Sequence, residues 1–214
     1  MPGIGPSATT GGWLRVGNGE PRRKGQMMLK RVLDLSLVIA SSPFLVIVMS
    51  VVAVAVWLSS PGPLLHWSAR VGRGNSTFWM PKFRTMMVGA PQVATHVLDN
   101  PKAFLTPIGG LLRKYSLDEL PQLSSVLIGE MALVGPRPAL FNQHDLIELR
   151  TSKGIHTLVP GITGWAQING RDDLSISTKV RFDEQYLQRK SVAFDLQILL
   201  ATLGKVVKAE GVWT

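Results

Sequence analysis

The chain has 214 residues, of which 45% are hydrophobic, 17% are charged and none is cysteine, and its formal net charge is +9. The absence of cysteine excludes a disulfide scaffold and any zinc or iron–sulfur site with thiolate ligands. Abundant apolar residues with few charges exclude a disordered protein. A positive mean hydropathy of +0.18 beside this excess of basic residues is typical of a protein that contacts a membrane.

Much of the positive charge lies near the N-terminus. Six Lys or Arg residues but only one acid, Glu20, precede Val32, and a basic cluster beside an apolar segment attracts anionic lipid. No basic stripe with interleaved aromatic residues follows, so nucleic acid is not an expected partner. Residues 1–28 are rich in Gly and Pro and predict a flexible leader.

Residues 32–58 form an apolar run whose only charge is Asp34. A cleaved signal peptide is disfavoured because the run is long and follows a long leader. A straight transmembrane helix would place the rest of the chain outside the cell by the positive-inside rule. A kink at Ser42 and Pro43 would instead return the chain to the same face, because proline removes a helix hydrogen bond. The residues alone favour the straight span.

Residues 59–214 predict a mainly α domain with one small β-hairpin, an α+β arrangement. Alternation and turn residues place the hairpin around Gly72 to Asn75. Helical segments are expected at 108–117, 121–128, 139–151, 178–190 and 194–209. The last is amphipathic, which fits a helix on a membrane interface and a helix packed on the core equally well.

Several basic side chains stand beside turn-forming residues. The planar guanidinium of arginine matches phosphate oxygens, and proline and glycine hold or expose the backbone around it. Taken singly, each is more simply a solvated surface residue. As a set they predict a site for a phosphorylated substrate, and the set is Lys82, Arg84, Arg113, Arg137 and Arg171.

Asp118 and Glu119 form the acidic pair that these cations would surround. Successive helical residues diverge by about 100°, so adjacent carboxylates meet one target only at a turn, which Pro121 favours. Such carboxylates can attack phosphorus or hold a divalent metal. The spacing from Ser116 to Glu119 matches a helix capping box equally well.

These residues fall in blocks whose order and spacing resemble the bacterial sugar transferases, the small monotopic phosphoglycosyl transferases of glycan assembly. The resemblance runs from about Leu29 to the C-terminus. The blocks are Lys30-Arg31 with Asp34, Ser60-Pro61-Gly62-Pro63, Arg70-Val71-Gly72, Lys82-Phe83-Arg84-Thr85-Met86, Ser116-Leu117-Asp118-Glu119-Leu120-Pro121-Gln122-Leu123, Gly135-Pro136-Arg137-Pro138, and Pro160-Gly161-Ile162-Thr163-Gly164 with Asn169-Gly170-Arg171.

The resemblance implies an enzyme that moves a sugar 1-phosphate from a UDP-sugar to a polyprenyl phosphate and releases UMP, with Mg²⁺. It makes Asp118 the nucleophile and Glu119 its partner, both as candidate metal ligands, and gives the five basic residues to substrate binding. It also implies a re-entrant membrane helix over residues 29–58, broken at Ser42 and Pro43. Residues 59–214 then form a catalytic domain with membrane-associating helices at the cytoplasmic face of the inner membrane.

A non-catalytic, membrane-anchored module that binds nucleotide-sugars or anionic lipid is the alternative. A pure anion-binding module has no need of the Asp118 and Glu119 carboxylates beside its cations, which argues against it. Association into a homo-oligomer is left open.

Overall fold

The computed structural model describes residues 20–91, 101–170 and 174–208. Its architecture confirms the expected α+β class, with a long apolar N-terminal helix and a small hairpin. The elements are α1 (Glu20–Ser59), β1 (Leu65–Val71), β2 (Thr77–Phe83), α2 (Gly109–Lys114), α3 (Leu123–Ile128), β3 (Ala132–Val134), α4 (His144–Ser152), β4 (Gly161–Thr163), α5 (Trp165–Ile168), α6 (Ile176–Arg189) and α7 (Val192–Lys208).

Helix α1 continues through Pro43 as one helix of 40 residues, as the residues alone favoured, whereas the family resemblance implied a break at Ser42 and Pro43. Pro43 has no N–H to donate to the carbonyl of Ile39, four residues earlier. The hydroxyl of Ser42 donates to that carbonyl instead, at 2.8 Å. Serine thereby replaces the missing bond and the helix continues. A re-entrant path through the membrane stays a prediction.

Helix α1 starts before the predicted membrane segment. Its first residue is Glu20, so residues 20–28, which the sequence placed in the leader, are helical. The other residues of the expected leader, 1–19, lie outside the described residues. At about 1.5 Å per residue the helix is about 60 Å long.

One face of α1 packs on the domain and the other is exposed. Val38 joins a buried cluster with Phe78, while Val52 and Val56 join another with Phe83. Only 11% of the apolar window within Gly25–Ser59 is buried. An apolar surface of this extent indicates a membrane-associated protein, since its exposure to water would be energetically unfavourable.

Two basic residues at the base of α1 fasten it to the domain. Lys30 Nζ lies 2.7 Å from Asp195 Oδ2, and Tyr186 Oη donates to the other oxygen of Asp195 at 2.7 Å. Arg31 donates to the carbonyls of Val126 and Leu127 at the C-terminal end of α3. The membrane helix is therefore tied to the segment that follows the acidic pair.

The hairpin of β1 and β2 is confirmed, with Leu65 opposite Phe83 and Val71 opposite Thr77. A second, parallel pair joins β3 to β4, with Ala132 opposite Gly161. The sequence did not predict this pair, because three-residue strands are too short to show a period of two. The loops that follow β3 and β4 carry the Gly135-Pro136-Arg137-Pro138 and Gly164 segments.

Helix α7 buries one apolar face in the domain and exposes another. Phe194 and Ile198 are buried among residues of other elements. Leu200 and Leu203 lie on the opposite side and are exposed. Core packing of α7 is therefore confirmed, and contact of its outer stripe with a membrane stays a prediction.

Candidate active site

Asp118 and Glu119 lie in a 3₁₀ turn, Leu117–Gln122, which contains Pro121 and leads directly into α3. The residue before the turn, Ser116, has φ 55° and its side chain makes no capping hydrogen bond. The capping-box interpretation is therefore wrong. A tight turn of this kind leaves both carboxylates available to partners from elsewhere in the chain.

The carboxylate of Glu119 is held by two cations. Lys82 Nζ, from β2, donates to Oε1 at 2.9 Å, and Arg137 Nη2, from the loop after β3, donates to the same oxygen at 2.6 Å. The side chains of Glu119 and Lys82 are each only 16% exposed. Charge-assisted bonds in so dry a setting orient both cations with respect to the acidic turn.

The two acids differ in electrostatic environment. Burial raises the pKa of Glu119, but the charges of Arg137 and Lys82 and their hydrogen bonds outweigh it and hold that pKa well below its usual range. Burial raises the pKa of Asp118 to about 6; Lys82 opposes this rise and the charge of Glu119 adds to it. At neutral pH both acids are ionised. Asp118 accepts no hydrogen bond from the described residues, so its oxygens are left for a ligand.

Hydrogen bonds to residues outside the acidic turn position Arg113 and Arg137. Arg113 Nε donates to Thr85 Oγ1 at 3.0 Å. The backbone carbonyl of Arg137 accepts from Arg150 Nη1 at 2.8 Å, and the buried carboxylate of Asp183 holds Arg150 at 2.6 Å. Sequence reasoning missed Arg150 and Asp183, because neither lies in a recognisable block and their pairing spans α4 and α6.

The acidic turn opens into a cleft of about 670 Å³. This volume suits a nucleotide-sized ligand, since small-molecule sites range over roughly 300–1,000 Å³. The cations that Glu119 orients face the same space. The predicted site residues that line the cleft are Lys82, Arg84, Arg113, Asp118, Glu119 and Arg137.

Comparison with known proteins identifies the family of this chain. The family model described as "Bacterial sugar transferase" matches residues 25–209. The chain belongs to this family. This sugar transferase is therefore an enzyme of the phosphoglycosyl transferase class, which decides between the transferase and the binding module that the sequence left open.

The similar proteins include chains of comparable length and longer ones. The chain is 41% identical over 193 residues to "Uncharacterized sugar transferase EpsL" of Bacillus subtilis, covering 87% of this chain and 91% of the relative. It is 35% identical to "Exopolysaccharide production protein ExoY" of Sinorhizobium fredii, covering 96% of each. It is 39% identical to the UDP-glucose:undecaprenyl-phosphate glucose-1-phosphate transferase of Escherichia coli, covering 83% of this chain but 40% of that longer relative.

In this sugar transferase the Arg84 side chain is hydrogen-bonded to the loop that follows α1. Its guanidinium donates to the carbonyls of Ser60 and Pro61 at 2.6 and 2.5 Å. Gly62 has φ +123°, and a Cβ there would overlap Arg84 Nη1, so the close approach requires glycine. A contribution of Arg84 to substrate binding stays a prediction. Arg171, the fifth predicted cation, lies outside the described residues.

The carboxylates of the turn also suit a divalent cation. Among the described residues no group of three or more His, Cys, Asp or Glu side chains forms a metal cluster. Mg²⁺ is nevertheless commonly bound by one or two carboxylates together with substrate phosphates. The Oε2 atom of Glu119 accepts a hydrogen bond from Arg137 Nη1 at 3.4 Å, and metal binding by Asp118 and Glu119 stays a prediction.

Proposed function

We propose that the enzyme transfers a sugar 1-phosphate from a UDP-sugar to a polyprenyl phosphate and releases UMP. The observation that carries the proposal is a buried carboxylate, Asp118, that shares one cleft with Lys82, Arg113 and Arg137. The names of relatives support it, among them the undecaprenyl-phosphate glucose phosphotransferase of Komagataeibacter xylinus, which is 36% identical over 213 residues. Transfer to a lipid carrier would be the first membrane step in building a glycan.

The cations bind the diphosphate of the donor. Arg137 has a side chain that is 36% exposed, so its guanidinium reaches the cleft while Glu119 holds its position. Arg113 lines the same cleft from α2. Positive charge is required here because the nucleophile and the donor are both anionic and would otherwise repel each other.

In the first step an oxygen of Asp118 attacks the phosphorus that carries the sugar. The bond between that phosphorus and the bridging oxygen of the diphosphate breaks, and the electron pair leaves with UMP. The product on the enzyme is an acyl phosphate that joins Asp118 to the sugar. Glu119 keeps Lys82 and Arg137 in place while the bridging oxygen gains charge.

In the second step a phosphate oxygen of the polyprenyl phosphate attacks the same phosphorus. The bond to Asp118 breaks, the carboxylate is restored, and the lipid-linked diphosphate sugar is released. Two steps replace one in which two bulky anions would have to meet directly. The Lys82 and Arg137 charges serve both steps because the attacked phosphorus stays in place.

Mg²⁺ is the cofactor that this chemistry calls for. Asp118 and Glu119 Oε2 would hold it together with diphosphate oxygens, and the ion would neutralise charge on the departing phosphate. The chain's own cations do not make it redundant, since Lys82 and Arg137 are already balanced in part by Glu119.

Orientation at the cytoplasmic face of the inner membrane fits the substrates and the charges. Nucleotide-sugars are cytoplasmic, and the basic residues before Val32 would remain on that side with anionic lipid. The exposed stripes of α1 and α7 would then both contact the bilayer.

Intact-mass measurement of the enzyme mixed with UDP-sugar and no acceptor tests the covalent step. Wild type should gain the mass of a sugar phosphate and release UMP. Asp118→Asn should do neither, because the amide keeps the size of the side chain and loses its nucleophilic charge. Asp145→Asn on α4, an exposed acid that is not among the residues lining the cleft, is the matched control. Sequential kinetics with no adduct from an active preparation would contradict the mechanism.

A further inference from the structure

The cleft that contains the acidic turn also has an apolar wall. Along the chain, β2 presents Lys82 to Glu119 and the next residues lead away from that pair to Met87 and Val88. Met87 is five positions after Lys82, so the two lie within about 18 Å of each other. The wall, defined as the apolar residues that line this side of the cleft, consists of Pro63, Leu65, Met87 and Val88.

The backbone of the wall is fixed. Met87 N donates to Phe104 O at 2.7 Å, and Met86 forms an antiparallel bridge with Leu105. A Cβ on Gly62 would come within 2.9 Å of Val88 Cγ2, so the valine side chain packs against the backbone of Gly62. Met87 and Val88 are nevertheless 52% and 71% exposed. These are large apolar side chains on a rigid frame, open to a partner.

The wall adjoins the C-terminal end of α1, since Pro63 follows Ser59, the last residue of that helix, by four positions. Leu65 pairs with Phe83 across the hairpin, and Phe83 packs against Val52 and Val56 near the end of α1. The next residues of that helix include Trp57, which is 68% exposed. Packed apolar side chains therefore extend from the wall to the end of α1, where Trp57 is exposed.

The geometry points to the wall as the binding site for the isoprenoid tail of the acceptor. This inference rests on the proposed function. A polyprenyl phosphate carries an anion that needs Lys82 and Arg137 and a tail that needs an apolar surface, and the cleft offers both. A nucleotide-sugar is polar throughout and gains nothing from Met87 and Val88. The wall thereby assigns one side of the cleft to the lipid.

The test compares two acceptors that attack the same enzyme adduct. The adduct is formed from UDP-sugar, separated from UMP, and mixed either with undecaprenyl phosphate or with UMP, which reverses the first step and has no tail. The test variant combines Met87→Gln with Val88→Thr, which makes both side chains polar while nearly preserving their volumes. We expect the ratio of the rate with undecaprenyl phosphate to the rate with UMP to fall about tenfold at low acceptor concentration, since apolar contact is lost.

The matched control is Leu149→Gln with Ile176→Thr, which changes two exposed apolar side chains outside the lining of the cleft and should leave the ratio unchanged. An unchanged ratio in the Met87 and Val88 double variant would overturn the inference, as would an equal fall with both acceptors, which would mean a merely structural role. Absence of any adduct on wild type would instead overturn the proposed function. The melting temperature of each variant confirms that it is folded.

Discussion

Removal of the charge on Glu119 should move the pH dependence of the first step in a direction that the geometry dictates. The ionised carboxylate of Asp118 is the attacking form, so UMP release should fall as pH decreases through its pKa of about 6. The negative charge of Glu119 raises that pKa. In Glu119→Gln the like charge is gone while Lys82 and Arg137 remain, and both stabilise the ionised form of Asp118.

The size of the shift follows from charge separation. Two unit charges about 7 Å apart at an effective dielectric constant of about 20 interact by about 2.4 kcal/mol, which corresponds to between one and two pKa units. The acid limb of the profile should therefore move from about pH 6 to about pH 5 or below. The plateau rate should also fall, by about 10- to 100-fold. The acceptor of the hydrogen bonds of 2.6 and 2.9 Å that orient Arg137 and Lys82 is then a neutral amide and no longer a carboxylate.

The assay is single-turnover UMP release without acceptor, measured from pH 4.5 to 8 in detergent (roughly the range over which a carboxyl of this kind titrates). Glu148→Gln, which removes an exposed charge on α4, should leave both the limb and the plateau unchanged. A limb that stays near pH 6 in Glu119→Gln, or moves to higher pH, would refute the assignment of the limb to Asp118 next to a charged Glu119.

Three further changes test other parts of the structure. Arg137→Ala should slow the first step by roughly 30- to 1,000-fold, with partial recovery in Arg137→Lys, because a cation held beside the phosphate by Glu119 is lost; near-normal turnover would remove Arg137 from the site. Gly62→Ala should lower the free energy of unfolding by about 2–4 kcal/mol, because the new methyl group would overlap Arg84. Gly74→Ala is the control: its φ is +67° but no atom lies within 4 Å, so the free energy of unfolding should fall by only about 1 kcal/mol. Thermal unfolding in detergent measures both. Single cysteines placed at Gly25 and Ser76 should both label from the cytoplasmic side, and labelling of the second only from outside would restore the straight span.

Several features of this protein were determined by local sequence. Alternating residues around a Gly and Asn turn are enough to predict the β1 and β2 hairpin, because the signal spans only neighbouring positions. The acidic turn was also predictable, since Pro121 limits helix formation next to Asp118. Five basic residues beside prolines and glycines predicted a phosphate site, and four of them line the cleft.

Other features depend on contacts between distant parts of the chain. Glu119 meets Lys82 across 37 positions and Arg137 across 18, and no local pattern encodes either distance. The same is true of Arg150 on Asp183, which aligns the Arg137 backbone.

The role of Arg84 shows the difference most clearly. Its sequence setting is as suited to phosphate as that of Arg137, yet its guanidinium is bonded to the loop at Ser60 and Pro61, where Gly62 admits it. Residue types and turn chemistry, which act over a few positions, determined the kind of chemistry available to this protein. The tertiary structure alone decided which cation faces the acidic turn and which holds the membrane helix to the domain, because a side chain's partner is set by packing between elements far apart in sequence.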